Sequence, residues 1–316
     1  MKLMASSDQQ PIAIVCAADD GYSMPFTVTA RSLLENLGKD QKVNLYVIDG
    51  GISEKNKAKI LKSLDFESCS LQWLKPPEDW LQDIPDLPGS ERIKIPAYYR
   101  LFIPQLLPPN LSKAIYLDSD LVICQDIGKL WKEELGESYL LAVQDTVAPF
   151  VSSLMGLKLY KELGLKADDK FFNSGVLVIN LDRWRLDHVS EKVVKYLVAN
   201  QEYVISHDQD GLNAILANKW TELDPAWNQQ PEIFSYASWK DSLFSEEIYN
   251  RLVTDPYIVH FATGGKPWNT REPHPFKHLF FKYVDRTAWK GYRFDLWRRL
   301  RSRVQREFKK ITKTYQ

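Results

Sequence analysis

The run Pro11 to Ala18 (PIAIVCAA) places apolar or small residues at successive positions and then stops at Asp19-Asp20-Gly21-Tyr22. An uninterrupted apolar run of this length suits a strand covered on both faces, as happens inside a parallel sheet flanked by helices. The chain that follows keeps to that plan. Pro25 to Leu37 offers Val28, Leu33, Leu34 and Leu37 for the inward face of a helix, and Val43 to Asp49 (VNLYVID) is a second strand halted by Gly50-Gly51. Ser53 stands as the N-cap, with Glu54 in the first turn, of a helix reaching about Leu64, and Ser70 to Leu74 forms a third strand. A β-α-β-α-β opening of this kind predicts an α/β fold with a mainly parallel, Rossmann-like central sheet flanked by helices.

Beyond it, Lys75 to Gly89 contains Pro76, Pro77, Pro85 and Pro88, the composition of a loop that crosses an edge or covers a cleft. Three further apolar runs, Ala114 to Leu117, Leu140 to Val143 and Gly175 to Ile179, end beside Asp118, Asp145 and Asn180. Ligands of open α/β sheets sit beyond the strand ends near the switch in strand order, so these polar endings predict one shared cleft. At 316 residues the chain can bury a full core as one large domain or two smaller ones. No repeat, low-complexity block or linker interrupts it before about residue 280, so residues 1–280 are read as the catalytic domain and 281–316 as a C-terminal extension.

Tyr116-Leu117-Asp118-Ser119-Asp120-Leu121 carries the sharpest chemistry. Two carboxylates at i and i+2 share a face of an extended strand or splay in the turn after it. Either way they can converge on a hard divalent cation, which prefers oxygen ligands. A cation there would bridge a diphosphate and neutralise charge building on it as a bond to a sugar breaks. Asp-x-Asp alone equally describes a solvated turn; the apolar strand directly before it favours the metal. His260, after Tyr257-Ile258-Val259, could add a neutral imidazole ligand, and Gly264-Gly265 with Lys266 could approach a phosphate and pair with it. That stretch on its own also fits a surface turn with a satisfied histidine. In Phe171 to Asn180 and His207 to Leu216, polar groups stand beside apolar ones. Leu212, Ile215 and Leu216 anchor a helix that would leave Asp208 and Gln209 at its exposed N-terminal end, holding sugar hydroxyls or capping the helix.

Taken in chain order, AADDGY (Ala17 to Tyr22), AYYRL (Ala97 to Leu101), YLDSD (Tyr116 to Asp120), FFNSGVLVINLDRWR (Phe171 to Arg185), HDQDGLN (His207 to Asn213) and HFATGGKPW (His260 to Trp268) resemble glycosyltransferase family 8. The resemblance runs from about Ile12 to Trp268 and implies the GT-A nucleotide-sugar fold, here with a C-terminal helical extension. It implies a retaining, metal-dependent enzyme that moves galactose or glucose from a UDP-hexose donor to a hydroxyl of a glycan or glycolipid acceptor. By position, it implies that Ala17, Asp19 and Gly21 line the uridine pocket and that Arg100 contacts the donor's sugar or phosphates. Asp118 and Asp120, flanking Ser119, would hold manganese (or magnesium) on the diphosphate together with His260. Asp145, Asn173, Asp208 and Gln209 would surround the donor sugar, and Lys266, beside Gly264 and Gly265, would stabilise the leaving UDP. Thr263 stands where the family often has glycine, and Arg92 where a family relative carries histidine. Retention by double displacement needs a carboxylate nucleophile under the anomeric carbon. Gln209 is a neutral amide and Asp208 the stronger nucleophile; attack from the leaving-group face, with Lys266 stabilising UDP, is favoured.

Other classes remain in view. Nucleotidyl transfer also uses paired aspartates and a metal but releases pyrophosphate. No GxGxxG follows the first strand, which disfavours a dehydrogenase. A glycogenin-like self-glucosylating protein and a non-catalytic sugar-binding module, stacking sugars on some of the ten tryptophans, are the alternatives. The formal net charge of zero hides an asymmetry: from Phe281 to Gln316, twelve Lys or Arg face three acidic residues, leaving the extension about +9 and the body about −9. Phe294, Trp297, Leu300, Val304, Phe308, Ile311 and Tyr315 recur at helical steps among the basic residues, a pattern suited to an anionic membrane surface. The same helix could dock on the acidic body; nucleic acid is disfavoured by that body. Three scattered cysteines (Cys16, Cys69, Cys124) fit a reducing compartment. No apolar segment follows the N-terminus and no apolar run approaches the roughly 18 residues of a membrane span. The expectation is a cytoplasmic protein, with peripheral contact to the inner face of the plasma membrane through the extension.

Overall fold

The computed structural model describes residues 10–77, 95–262, 265–269 and 274–294. The apolar opening run is strand β1 (Ile12–Ala18), followed by α1 (Ser23–Glu35), β2 (Val43–Asp49), α2 (Glu54–Ser63) and β3 (Cys69–Leu74). Asp19 interrupts the chain between β1 and α1 because its carboxylate accepts the Tyr22 N–H at 2.9 Å and so caps a 3-10 turn. Ser53 caps α2 as its sequence predicts, accepting from the Asn56 N–H. Next come a 3-10 stretch (Ile95–Phe102), α3 (Ile103–Leu106), β4 (Lys113–Leu117), β5 (Leu121–Ile123), α4 (Ile127–Trp131) and β6 (Leu140–Gln144). The chain ends with β7 (Phe172–Asn180), α5 (Leu181–Leu186), α6 (Val189–Ala199), α7 (Asp208–Leu216), β8 (Trp220–Glu222), α8 (Glu246–Thr254), β9 (Ile258–His260) and α9 (Lys277–Val284).

Among the described residues, seven strands form the main sheet in the order β3-β2-β1-β4-β7-β6-β8, and β5 pairs with β9 in a second, two-stranded sheet. Every neighbour pair in the main sheet is parallel except those involving β7, which runs antiparallel to β4 and β6. Alternate residues of β1 feed opposite layers, as a period of two requires. Ile12, Ile14 and Cys16 pack with Phe26 and Leu33 of α1, while Ala13 and Val15 pack with Ile103, Trp184, Val193 and Leu212 on the other face. Burying both faces is what demands the continuous apolar run.

The direction of β7 corrects one expectation. Asn180 lies at the end of the sheet away from the cleft, where its side chain accepts from the Arg183 N–H and caps α5. The opposite end of β7, Asn173-Ser174-Gly175, meets the cleft instead. Helix α7 is stitched beneath that end by Asn213, whose amide accepts from Phe172 N at 2.8 Å and donates to Phe172 O at 2.9 Å. Gly211 allows the close approach of α6 that this requires: a Cβ there would lie 2.8 Å from Leu197 Cγ and from Val193 Cγ1. The body also continues past residue 280. Phe280, Tyr283 and Val284 of α9 are buried, Ala288 N donates to Ser63 Oγ, and Tyr292 donates to Trp268 O. Of the stretch 281–316, residues 281–294 therefore pack with the body and 295–316 lie outside the described residues. Among the described residues, no helix is long and apolar enough to cross a membrane.

Candidate active site

Strand order reverses at β1 and β4, which lie side by side with β2 and β7 beyond them, and the acidic turn Asp118-Ser119-Asp120 leaves β4 at that switch point. Ser119 points inward and donates to the Ala17 carbonyl at 2.7 Å, tying the turn to the end of β1. The turn then enters β5, whose Leu121 pairs with His260 of β9, so the small sheet delivers the imidazole beside Asp120.

Each carboxylate is divided between a cation and the histidine. Asp118 Oδ1 accepts from Arg100 Nη2 at 2.9 Å and from Tyr116 Oη at 2.7 Å, leaving Oδ2 3.8 Å from His260 Nε2. Asp120 Oδ2 accepts from Lys266 Nζ at 2.5 Å, leaving Oδ1 buried without a hydrogen-bond partner and 3.3 Å from the same Nε2. One ligand atom from each of the three residues falls within 4.8 Å of the others. Burial works to raise the pKa of Asp120, but the Lys266 ammonium and the His260 ring outweigh it and hold the group well below the ordinary carboxylate range. Oxygen and imidazole donors facing one point, one of them an orphaned buried oxygen, fit a hard divalent cation. Gly175 keeps that point open: a Cβ there would lie 2.4 Å from His260 Cε1 and 3.0 Å from Asp118 Oδ2.

Arg100 braces the other side. Its guanidinium reaches Asp118, Asp208 Oδ2 at 2.9 Å, and the carbonyl and hydroxyl of Ser174, and it stacks 4.6 Å over the Tyr116 ring. Asp208 is thus buried in an ion pair rather than exposed at the helix end, a second correction; burial pushes its carboxyl up to about 6 even though Arg100 pulls it down. His207, which precedes it, carries a φ of 55° with its ring against Tyr98 Oη at 3.1 Å, so the entry to α7 is held in a backbone conformation that side chains rarely adopt.

A cleft of about 440 Å³ opens beside these groups, lined by Asp145, Asn173, Gln209, Gln230 and Glu232 with Val147 and Met155 as an apolar wall. Asp145 is saturated: Oδ1 accepts from Val147 N and Ala148 N at 2.8 Å, and Oδ2 from Asn173 Nδ2 at 2.9 Å and Gln209 Nε2 at 3.1 Å. Gln209 Oε1 in turn accepts from Ser174 N at 3.0 Å. On the β1 side, Ala17 and Asp19 are buried at the strand end and Gly21 is exposed in the turn that follows. Lys266, which follows Gly265, stands next to Asp120; Gly264, Thr263 and Arg92 lie outside the described residues. Sequence reasoning overlooked Gly175, Asn228 and the Gln230–Glu232 wall. A glycine inside an apolar strand was an available signal for the first; nothing local marked the others.

A mainly parallel sheet with an acid pair and a histidine at its switch point defines an α/β protein whose site lies beyond the strand ends, the architecture of the GT-A fold. The solved structure of galactosyltransferase LgtC in complex with donor and acceptor sugar analogs shares that fold, with a TM-score of 0.74 at 23% identity over 88% of this chain and 96% of that one. The match to Glycosyl transferase family 8 covers residues 13–272, and the chain belongs to that family. It is 33% identical over 279 residues to General stress protein A of Bacillus subtilis, covering 87% of this chain and 94% of the relative. A putative glycosyltransferase of Haemophilus influenzae is 26% identical over 271 residues, covering 85% of this chain and 77% of the relative. The protein is a glycosyltransferase that uses a nucleotide-sugar donor.

Proposed function

We propose that the enzyme transfers galactose or glucose from the UDP-sugar to a hydroxyl of a glycan or glycolipid acceptor, with retention and with dependence on manganese or magnesium. The convergence of Asp118 Oδ2, Asp120 Oδ1 and His260 Nε2 is the observation that carries this reading. These residues would hold a divalent cation, which would supply positive charge at the diphosphate. Lys266 stands beside Asp120, close enough to add a second positive charge to the same leaving group. Arg100 fixes Asp118 in place, and its own burial in two ion pairs makes it a brace rather than a mobile phosphate clamp.

The cleft beside the acid pair suits the sugars. Its amide and carboxylate groups match hydroxyl edges, and Val147 and Met155 offer an apolar surface for a ring face. Asp208 is poorly placed as a covalent nucleophile, since its oxygen is held by Arg100 at 2.9 Å and shielded beside Ser174. Gln209 has both ends of its amide engaged and forms a fixed neutral wall. These constraints support attack by the acceptor from the face that UDP leaves, with a phosphate oxygen of UDP taking the acceptor's proton. The basic aromatic stretch 295–316 is proposed to rest on an anionic membrane surface, which co-sedimentation with anionic liposomes at low salt tests.

A screen of UDP release across UDP-glucose, UDP-galactose and their N-acetyl forms, with and without manganese, tests the function. Asp120→Ala is expected to lower metal-dependent release by about 10³-fold while leaving the far-UV circular dichroism unchanged. Equal release by the variant and the wild type would end the metal reading.

A further inference from the structure

We propose that Asn228 is the positioning residue of the metal site: it fixes the ring proton of His260 on Nδ1 and turns the bare Nε2 toward Asp118 and Asp120. The inference rests on the metal reading above, but its first test needs neither metal nor donor.

The argument is one of hydrogen-bond polarity, and both ends of the chain of contacts leave no choice. The backbone N–H of Gly175 can only donate, so the Asn173 side-chain atom 3.0 Å from it is the oxygen. The other Asn173 atom is then the nitrogen, which suits its position 2.9 Å from the Asp145 carboxylate, an acceptor. Asn173 Oδ1 also lies 2.9 Å from the Asn228 amide, and two acceptors cannot bond each other, so that atom of Asn228 is Nδ2. The Asn228 oxygen is left 2.8 Å from His260 Nδ1, which must carry the proton in the neutral ring. Asn228 is 1% exposed, so water does not compete for these bonds.

The backbone sets this pairing as firmly as the side chains do. Asn228 ends a 3-10 turn (Pro225–Asn228) that Asp224 caps through the Ala226 N–H. The chain then bridges to β9, with Gln229 N donating to Ile258 O at 3.0 Å and His260 N to Gln229 O at 2.9 Å. Asn228 and His260 are therefore held beside each other before either side chain chooses a rotamer.

The consequence is chemical. With its proton on Nδ1, the neutral imidazole presents a lone pair to Asp120 Oδ1 at 3.3 Å and can bond neither carboxylate, whereas a cation between them satisfies all three. Without Asn228, the ring is free to move its proton to Nε2 and donate to Asp120, closing the site on itself. Asn228 keeps the three ligands from quenching one another.

The test uses the full chain. In metal-free wild-type protein, about two pH units above the ordinary imidazole pKa, long-range 15N–1H spectra should show His260 protonated at Nδ1, with His260→Gln giving the assignment. Asn228→Leu should populate the Nε2–H form and weaken manganese binding, read by electron paramagnetic resonance, by about 10- to 100-fold. Asn228→Asp retains an acceptor for Nδ1–H and should keep both the Nδ1–H tautomer and at least wild-type manganese affinity, even if the lost bond to Asn173 slows turnover. A wild-type ring protonated at Nε2 would overturn the proposal. So would equal loss of manganese affinity in the Leu and Asp variants, which is the mark of a packing role. The correct tautomer in a protein that never binds manganese would instead leave Asn228's role in the ring intact and sink the metal reading.

Discussion

The edge of the cleft built by β1 and β4 and the edge built by β7 and β9 reach the same point by different means. On the first edge most determinants are contiguous: an apolar strand stops at an acidic turn and Asp19 caps its own turn, with one long-range bond, from Ser119 to the Ala17 carbonyl 102 residues away, tying the Asp118–Asp120 turn back. On the second edge almost nothing is local. His260 is oriented by Asn228 32 residues away, and Asn228 by Asn173 55 residues away, while Gly175 matters only because His260 passes over it. The first edge has spare support, in that losing one hydrogen bond leaves the strand ends in place. The second is a serial chain, in which one misplaced atom displaces a ligand.

That contrast yields graded expectations. Among substitutions that leave all three ligands in place, Gly175→Ala should do most damage, because the added Cβ must displace the His260 ring from 2.4 Å and Asp118 Oδ2 from 3.0 Å. A fall of about 10²-fold in manganese affinity and in UDP release is expected, with overpacking costing about 1–3 kcal/mol of stability. Wild-type affinity in that variant would break the comparison outright.

Asp210, in the first turn of α7, should show in the pH dependence of stability. Burial raises its pKa, the Ile205 and Ser206 N–H groups lower it in part, and the result is pushed up to about 6 from an ordinary 3.8. A carboxyl raised in the folded state favours folding while protonated, so its contribution is present in full below about pH 4 and is lost as pH rises through about 6. Two pH units set the ceiling at about 3 kcal/mol. Asp210→Asn should flatten that decline in urea unfolding measured across the window; an unchanged slope would show that Asp210 does not titrate there.

Ser119→Ala should do least. It removes one buried hydrogen bond on the redundant edge, costing about 1 kcal/mol in thermal or urea unfolding and changing manganese affinity less than threefold. A loss of metal binding as large as that of Gly175→Ala would show that the first edge is as brittle as the second.

The same contrast governs how much could be read from the chain alone. Five predicted strands, from Pro11–Ala18 to Leu140–Val143, fall on β1, β2, β3, β4 and β6 within a residue or two, and Ser53 caps α2 as written, because apolar runs and caps are local effects. The pair Asp118 and Asp120 with His260 was legible through its motif, and the three do meet. Strand direction was not: apolarity in β7 reads the same both ways, so the strand pattern put Asn180 at the cleft, whereas Asn173, which only the family resemblance put there, is the residue that lines it. Asp208 was expected to be exposed because a helix start usually is; a guanidinium from another part of the chain buries it. Asn228 sits in an irregular stretch with no periodicity to mark it, and its role exists only through its partners.

Calorimetric titration of manganese into the protein with UDP present tests the central claim most directly. Wild-type protein should bind one ion per chain, and His260→Ala, folded by circular dichroism, should bind it at least tenfold more weakly. Absence of binding in the wild type, or identical isotherms for the two proteins, would contradict the assignment of Asp118, Asp120 and His260 as one metal site.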